Sequence, residues 1–473
     1  MTPETLLLRH QAALDRRRPW EATWQDCRDH VLARTPGQGG PALFDGTAAD
    51  AAEQLAASLL AELTPPWSRW FGLQPTRGMA DTPGLSELLE DASETLAGHL
   101  DRGGLSLAMH QAFLDLVVCG TGVLLVEEAP PGELSALRLT AVPLSETVLE
   151  DSGSGRLDTI YRSAGLTPDA IRQRFPKAVL PKALTESKGE PPRLPVLEAV
   201  WPDGRGAFRF AAVLAIPGQA PLLLADGEFA ESPFIAFRWL VAPGETYGRG
   251  PVMKALPDIR TANKVVELIL KNASIAATGI WQADDDGVLN PATVRLVPGA
   301  IIPKAPGSAG LTPLAAPGNF DVSNLVLDDL RSRIRTALLA DRLSPKPGQD
   351  RTATEVLERS AETARTLGAC YGRLQHELLS PLVVRSLGVL RRRGEVPPIL
   401  LDGQEVRLAY RSPLARLQAR ADAANTALFL QSAAALGPAG LAQIDAAAAA
   451  RFLARTLDVP DSILTPLSES PSA

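Results

Sequence analysis

Apolar residues recur at helical spacing through the first stretch of the chain: Leu6, Leu7, Ala13, Leu14, Trp20, Trp24, Cys27 and Val31 punctuate residues 3–33. Thr35-Pro36-Gly37 then ends the run. A second run predicts a helix from about Ala48 to Leu63, with Thr47 and Asp50 as a capping pair and Thr64-Pro65-Pro66 as its stop. Two further helices are expected near 85–102 and 106–118. From Gly120 the period shortens. Val123–Val126, Leu137–Val142 and Thr159–Arg162 read as strands between Pro-Pro-Gly and Gly-Ser-Gly turns. A short helix near 167–175 and strand candidates at 196–201, 207–215 and 233–240 follow, so this region reads as a mixed antiparallel sheet on a helical base.

The second half opens on one long helical pattern over 251–278, with Pro251 suited to its first turn. At 1.5 Å per residue this is a rod of roughly 40 Å. Its apolar set (Leu256, Ile259, Ala262, Val266, Leu270, Ala273) forms a narrow stripe, as in a helix packed against like helices. Residues 279–321 read as an insert of strand-like pieces and turns. Helix returns over 322–342, with Leu325, Leu327, Leu330, Ile334, Leu338 and Leu339 as its apolar positions. Ser344-Pro-Lys-Pro-Gly-Gln-Asp-Arg351 cannot be helical. Thr352-Ala-Thr-Glu355 reads as a capping box that opens a helix of about 40 residues to Arg393, kinked at Pro381. A strand pair near 398–410 and alanine-rich helices over 413–456 complete the pattern, before a frayed tail.

Composition narrows the class. With 473 residues, 45% of them apolar, the chain is long enough for several domains at roughly 100–200 residues each. The 40 Pro and 38 Gly stay below the fraction that marks a low-complexity chain, which excludes a disordered, collagen-like or rod-like whole. A net charge of −7 excludes tight nucleic-acid binding through a basic face. Cys27, Cys119 and Cys370 are odd in number and match no metal spacing, so they read as buried thiols in a reducing compartment. The N-terminal Leu6-Leu7-Leu8 run is cut by Arg9 and followed by Arg16–Arg18, an amphipathic helix and not a signal peptide. Leu116 to Val126 falls far short of the roughly 18 apolar residues a membrane span needs, so a soluble, cytoplasmically made protein is expected.

No catalytic constellation emerges. Gly248-Arg-Gly250 after a strand could open a dinucleotide loop, but the third glycine position is Met253, and a turn before a helix explains the glycines as well. Asp284-Asp285-Asp286 lacks the alternating acids of a calcium loop and reads as a polar turn. His10, His30, His99, His110 and His376 show no paired-ligand spacing. Asp45, Asp50 and Glu53 fit a helix start, Glu127-Glu128 a solvated strand end, and Trp67, Trp70 and Phe71 an apolar anchor in preference to a base-stacking platform. One cluster stands out against the acidic whole: Arg331, Arg333, Arg335, Arg342, Lys346 and Arg351 lie within about twenty residues. It is either a solvated helix face with loop charges, or a loop that touches passing phosphates without reading their sequence.

Several stretches then acquire weight from their order: Leu43-Phe-Asp-Gly-Thr47, Leu63-Thr-Pro-Pro-Trp-Ser-Arg-Trp-Phe71, Arg238-Trp239, Gly244-Glu-Thr-Tyr-Gly-Arg-Gly-Pro251, Ala255-Leu-Pro-Asp-Ile-Arg260, Pro298-Gly-Ala-Ile-Ile-Pro303 and Thr352-Ala-Thr-Glu-Val356. With the element order, they make the chain resemble the bacteriophage portal proteins, the head-to-tail connectors of short-tailed phages, over residues 5–415.

The resemblance implies an α+β, predominantly α-helical portal fold with wing, stem, clip and crown, assembling as a ring of usually twelve subunits at one capsid vertex. Residues 1–250 would be wing, 251–278 the first stem helix, 279–321 the clip and 322–342 the second stem helix. Residues 343–353 would be the tunnel loop, 354–412 the long kinked helix with wing strands, and 413–473 the crown and tail. Arg342, Lys346 and Arg351 would face double-stranded DNA that passes transiently and without sequence preference. Implied partners are other copies of the chain, the terminase large subunit, major capsid and scaffold proteins, and tail adaptors. No catalysis, cofactor, metal or membrane is implied, and the location would be the virion. Two other classes stay open: a different ring-forming head-tail adaptor or tail protein, and a nucleotide-dependent enzyme using Gly248-Arg-Gly250.

Overall fold

The structure is a computed structural model; it describes residues 1–32, 39–66, 68–75, 84–151, 153, 155–181, 191–278, 281–283, 305–307, 311–313, 320–340, 368, 370–398, 406–410, 413–437 and 444–457. The expected Asp284–Asp286 turn, the loop at 343–353 and the capping box at Thr352 lie outside these residues.

The first four helices follow the sequence closely. Helix α1 (Pro3–Val31) starts where the Thr2 hydroxyl accepts from the Thr5 N–H and Pro3 occupies the first turn. Helix α2 (Thr47–Leu63) begins differently from expectation. Its N-cap is Gly46, which has no side chain, and the carboxylate of Asp45 accepts from the Thr47 N–H at 3.0 Å in place of a Thr47–Asp50 box. After strand β1 (Phe71–Pro75) come α3 (Leu85–Arg102) and α4 (Leu105–Cys119). Helix α4 is the most deeply embedded of these: Met109, Phe113, Leu116, Val117 and Val118 all sit in the main core, which α1, α2 and α6 (Pro251–Thr278) help to enclose, while Leu107 and Gln111 stay exposed. Arg17 of α1 ties this block to the sheets, donating to the Thr147 carbonyl at 2.6 Å and the Leu144 carbonyl at 3.1 Å.

Two antiparallel sheets follow. Strands β2 (Thr121–Glu128), β3 (Leu137–Ala141) and β9 (Phe234–Arg238) pair in the order β3-β2-β9, with Leu124 opposite both Ala141 and Ile235. Strands β4 (Thr147–Asp151), β5 (Leu157–Leu166), β6 (Leu194–Pro202), β7 (Phe208–Leu214) and β8 (Leu222–Phe229) form a meander, with helix α5 (Pro168–Arg174) between β5 and β6. Strands β4 and β8 are absent from the sequence expectation. Asp226-Gly227 inside β8 carries a turn signature yet pairs in regular register with Ala211 and Phe210, while the one β7–β8 irregularity falls nearby, where Ala212 faces Ala225 and Val213 faces Leu223.

Helix α7 (Phe320–Ala337) packs against α6, and between them Trp281–Ala283 (β10) pairs with Leu311–Pro313 (β11). Leu339 ends α7 before the expected 342: its φ of 58° puts a leucine in the left-handed region, at a cost of roughly 1–2 kcal/mol. The helical stretch at 370–374 widens into a π turn over Gln375–Leu379 and continues as α8 (Ser380–Arg393). This is the irregularity expected at Pro381, which has no N–H to donate. The Gln375 carbonyl instead accepts from the Ser380 N–H, from its hydroxyl at 3.0 Å and from the Tyr410 hydroxyl at 3.4 Å. Strand β12 (Val406–Tyr410) pairs with β1; the first half of the strand pair expected near 398–410 lies outside the described residues. That pairing explains the Trp70-Phe71 anchor, since Phe71 is fully buried opposite Tyr410. Helices α9 (Pro413–Ala435) and α10 (Ala446–Thr456) follow.

Candidate functional site

The long helix α6 leaves the body at a joint made of glycines. Gly120 closes α4 with φ 78°, and a Cβ on Gly120 or Gly248 would overlap the other's backbone. A Cβ on Gly250 would lie 2.6 Å from the Val117 carbonyl oxygen. The Gly248 N–H donates to the Thr121 hydroxyl at 2.9 Å, and Tyr247, packed among Trp20 and Trp24, accepts from the Leu149 N–H. The backbone that a dinucleotide loop would offer to phosphate is therefore pressed against α4, which accounts for the glycines without a cofactor.

Beyond the joint, a set of polar contacts fixes the root of the helix pair. Asn263, on the buried face of α6, uses its whole amide: Oδ1 accepts from the N–H groups of Phe44 (2.6 Å) and Asp45 (3.2 Å), and Nδ2 donates to the Ala42 carbonyl (3.1 Å). Asp45, 5% exposed, pairs with Arg331 of α7 at 2.9 Å. Burial works to raise the Asp45 carboxyl, but hydrogen bonds from Thr47 and the Arg331 guanidinium outweigh it and hold it below the usual carboxylate range. Arg333 pairs with Asp258 and Arg260 with Asp26.

The outer half of the pair has a different character. Val252, Ala255, Ile259 and Ala262 are buried, whereas Leu268 and Leu270 are 48% and 52% exposed and Lys271–Ser274 face solvent. On α7, Leu325 is 74% and Val326 44% exposed. A helix pair with apolar groups turned outward is incomplete by itself.

The cation cluster divides. Arg331 and Arg333 serve the fold through Asp45 and Asp258, while Arg335 is exposed with no ion pair among the described residues. Arg342, Lys346 and Arg351 lie outside the described residues. Among the described residues no His, Cys, Asp and Glu group could hold a metal ion. His99 pairs with Glu395 at 2.6 Å and His30 meets the Asp26 carbonyl. Burial pushes Cys27, Cys119 and Cys370 up to about 12, which keeps them protonated and unreactive, although Cys370 is half-buried and not buried as expected. Glu127 and Glu128 are more than a solvated rim: they pair with Arg174 and Arg392.

Sequence reasoning missed two polar anchors. Asn263 is a polar residue interrupting a buried stripe, a signal that is visible in the pattern. Arg238 is buried to 3% and pairs with Glu377 of the π turn at 2.8 Å, while its backbone N–H donates to the same carboxylate. Nothing local marks that contact, because 139 residues separate the partners.

Comparison with known proteins gives these features a family. The chain is 24% identical over 450 residues to a protein named "Probable portal protein" of Bordetella phage BPP-1, covering 87% of this chain and 78% of that one. It is 23% identical to the portal protein of Escherichia phage T7, covering 82% and 75%, and 24% identical to that of Salmonella phage epsilon15, covering 88% and 80%. A solved structure titled "Virion of native gene transfer agent (GTA) particle" aligns over 93% of both chains at 12% identity, with a TM-score of 0.41. The family model described as "Bacteriophage head to tail connecting protein" matches residues 4–464, and the chain belongs to that family of head-to-tail connectors.

Proposed function

We propose that the chain is the portal of a phage head: twelve copies close into a ring at one capsid vertex, and DNA enters during packaging and leaves during ejection through the central channel. The carrying observation is the family match over residues 4–464, joined to portal relatives along three quarters or more of their length. The outward apolar groups of α6 and α7 support the ring, since neighbouring copies would cover them. In this reading 251–278 and 322–342 are the stem, 279–321 the clip that meets terminase and later tail adaptors, 1–250 the wing against capsid and scaffold proteins, and 413–473 the crown. The protein is made in the host cytoplasm and ends in the virion. It performs no catalysis.

The net charge of −7 per copy suits a conduit, because each phosphate–cation contact adds to a salt-dependent grip that a moving duplex must escape. Arg342, Lys346 and Arg351 are the proposed contacts of the tunnel loop. Native mass spectrometry of the purified chain tests the ring: a closed oligomer is expected, and a strict monomer at high concentration overturns the reading. Lys346→Ala with Arg351→Ala should leave the ring intact and change packaged DNA content or release. Unchanged content and release would remove the loop's role.

A further inference from the structure

Two surface features lie on different sides of the helix-pair root and have complementary chemistry. The first is the segment before α2. Leu43 and Phe44 are 42% and 39% exposed, yet their backbone is not loose: Asn263 holds Ala42, Phe44 and Asp45, and Asp45 is locked to Arg331. The fold thus fixes two apolar side chains outward, against the tendency of such groups to find cover within their own chain. Beside them, Asp50 and Glu53 on the first turns of α2 are exposed, and neither has an ion pair among the described residues.

The second feature is the outer stripe of α6. At 3.6 residues per turn, Lys254, Lys264, Leu268 and Lys271 lie about 80–180° around the helix from Asn263, away from the Phe44 segment. All four are exposed. Glu267 takes both Lys264 and Lys271, at 2.9 and 2.6 Å, so two cations share one carboxylate and the surface around Leu268 keeps a net positive charge; Lys254 lies about 21 Å farther along the helix. Those pairs are solvent-facing, with the lysines 61% and 62% exposed, so they are weak and free to share a further carboxylate.

We propose that these two surfaces are the halves of one subunit joint: the Leu43-Phe44 knob of one copy seats on the Leu268 region of the next, with Asp50 and Glu53 meeting Lys264 and Lys271. The occupant is a second copy of this chain, and the inference rests on the ring reading above. Charge complementarity selects it, with two acids beside the knob and a net cationic surface around Leu268. A head-to-tail contact between unlike faces closes a ring, whereas a self-complementary one would stop at a dimer. The rigid mount also fits a joint, because a knob already held in place loses little conformational entropy on docking.

Charge exchange tests the pairing. Asp50→Lys with Glu53→Lys should abolish the ring peak in native mass spectrometry while circular dichroism stays that of the folded subunit; all the altered residues are exposed. Adding Lys264→Glu and Lys271→Glu to the same chain should restore rings. Wild-type ring yield in the first variant, or no recovery in the second, overturns the joint while leaving the ring reading standing. A wild-type chain that stays monomeric overturns both. Independently, a Phe44→Cys, Leu268→Cys double variant under mild oxidation should give a ladder of covalent multimers that neither single variant gives. Absence of that ladder from assembled rings also overturns the joint.

Discussion

Helices α4 and α6 are both rich in apolar residues, and the protein treats them in opposite ways. Nearly all the apolar surface of α4 from Leu105 to Cys119 is covered by its own chain, with Leu107 as the one strongly exposed exception among its large apolar side chains. Helix α6 is fully covered only to about Asn263; beyond that Val265, Val266 and Ile269 are half-buried and Leu268 and Leu270 reach solvent, as do Leu325 and Val326 of α7. The difference separates a body that covers its own apolar surface from a helix pair that, on the ring reading proposed above, neighbours would cover. Hydrophobicity alone does not distinguish the two roles; what does is whether the chain returns to cover the surface.

That contrast can be broken from either side. The largest effect is expected at the joint between the regions: Gly248→Ala forces a Cβ into the Gly120 backbone and should cost more than about 4 kcal/mol, read as loss of soluble folded protein. Next comes Arg238→Met, which leaves Glu377 buried with less charge compensation. A loss of about 3–5 kcal/mol in urea unfolding is expected, and a change below 1 kcal/mol would show the pair to be dispensable.

Asp115 of α4 offers a pH-dependent test of the body. Although the residue is only half-buried, dense protein around its carboxyl raises it to about 6, against the opposing pull of Arg28 and the Leu144 N–H. Between pH 4 and 6 the unfolded chain ionises first, so stability falls as pH rises, and the loss is complete above the folded value. Asp115→Asn should therefore stabilise by about 2–3 kcal/mol at pH 8 and by almost nothing at pH 3.5. Equal effects at both values would remove the titration. The smallest effect on the subunit is expected from Leu268→Ser with Leu270→Ser: monomer unfolding shifts by no more than about 0.5 kcal/mol, while ring yield drops. A large monomer effect would erase the distinction between α4 and the outer half of α6.

Much of this architecture is legible in the sequence because helices announce themselves locally. The periodicity of α1 to α4 and α6, with Pro251 at the start of α6 and Gly120 after α4, placed them within a few residues. The strands were less readable where the local signal pointed elsewhere: Asp226-Gly227 looks like a turn but lies inside β8, and β4 is only five residues long. Partners were the least readable. The sequence marks Asp45 as a helix start, but Arg331 lies 286 positions away, and Asn263 becomes meaningful only when the Phe44 segment is beside it. The channel candidates Arg342, Lys346 and Arg351 remain readings of sequence, beyond the described residues.

The pairing of Phe71–Pro75 with Val406–Tyr410 has a temporal consequence. A ribosome adding roughly 5–20 residues per second needs on the order of 15–70 s to reach the second strand after finishing the first. Until then Phe71 lacks the strand that pairs with it, and the Tyr410 hydroxyl is not yet there to reach the Gln375 carbonyl. Completion of this small sheet reports that the chain has been made as far as residue 410. A nascent chain cut short before residue 406 would lack that closure and leave β1 as an open edge.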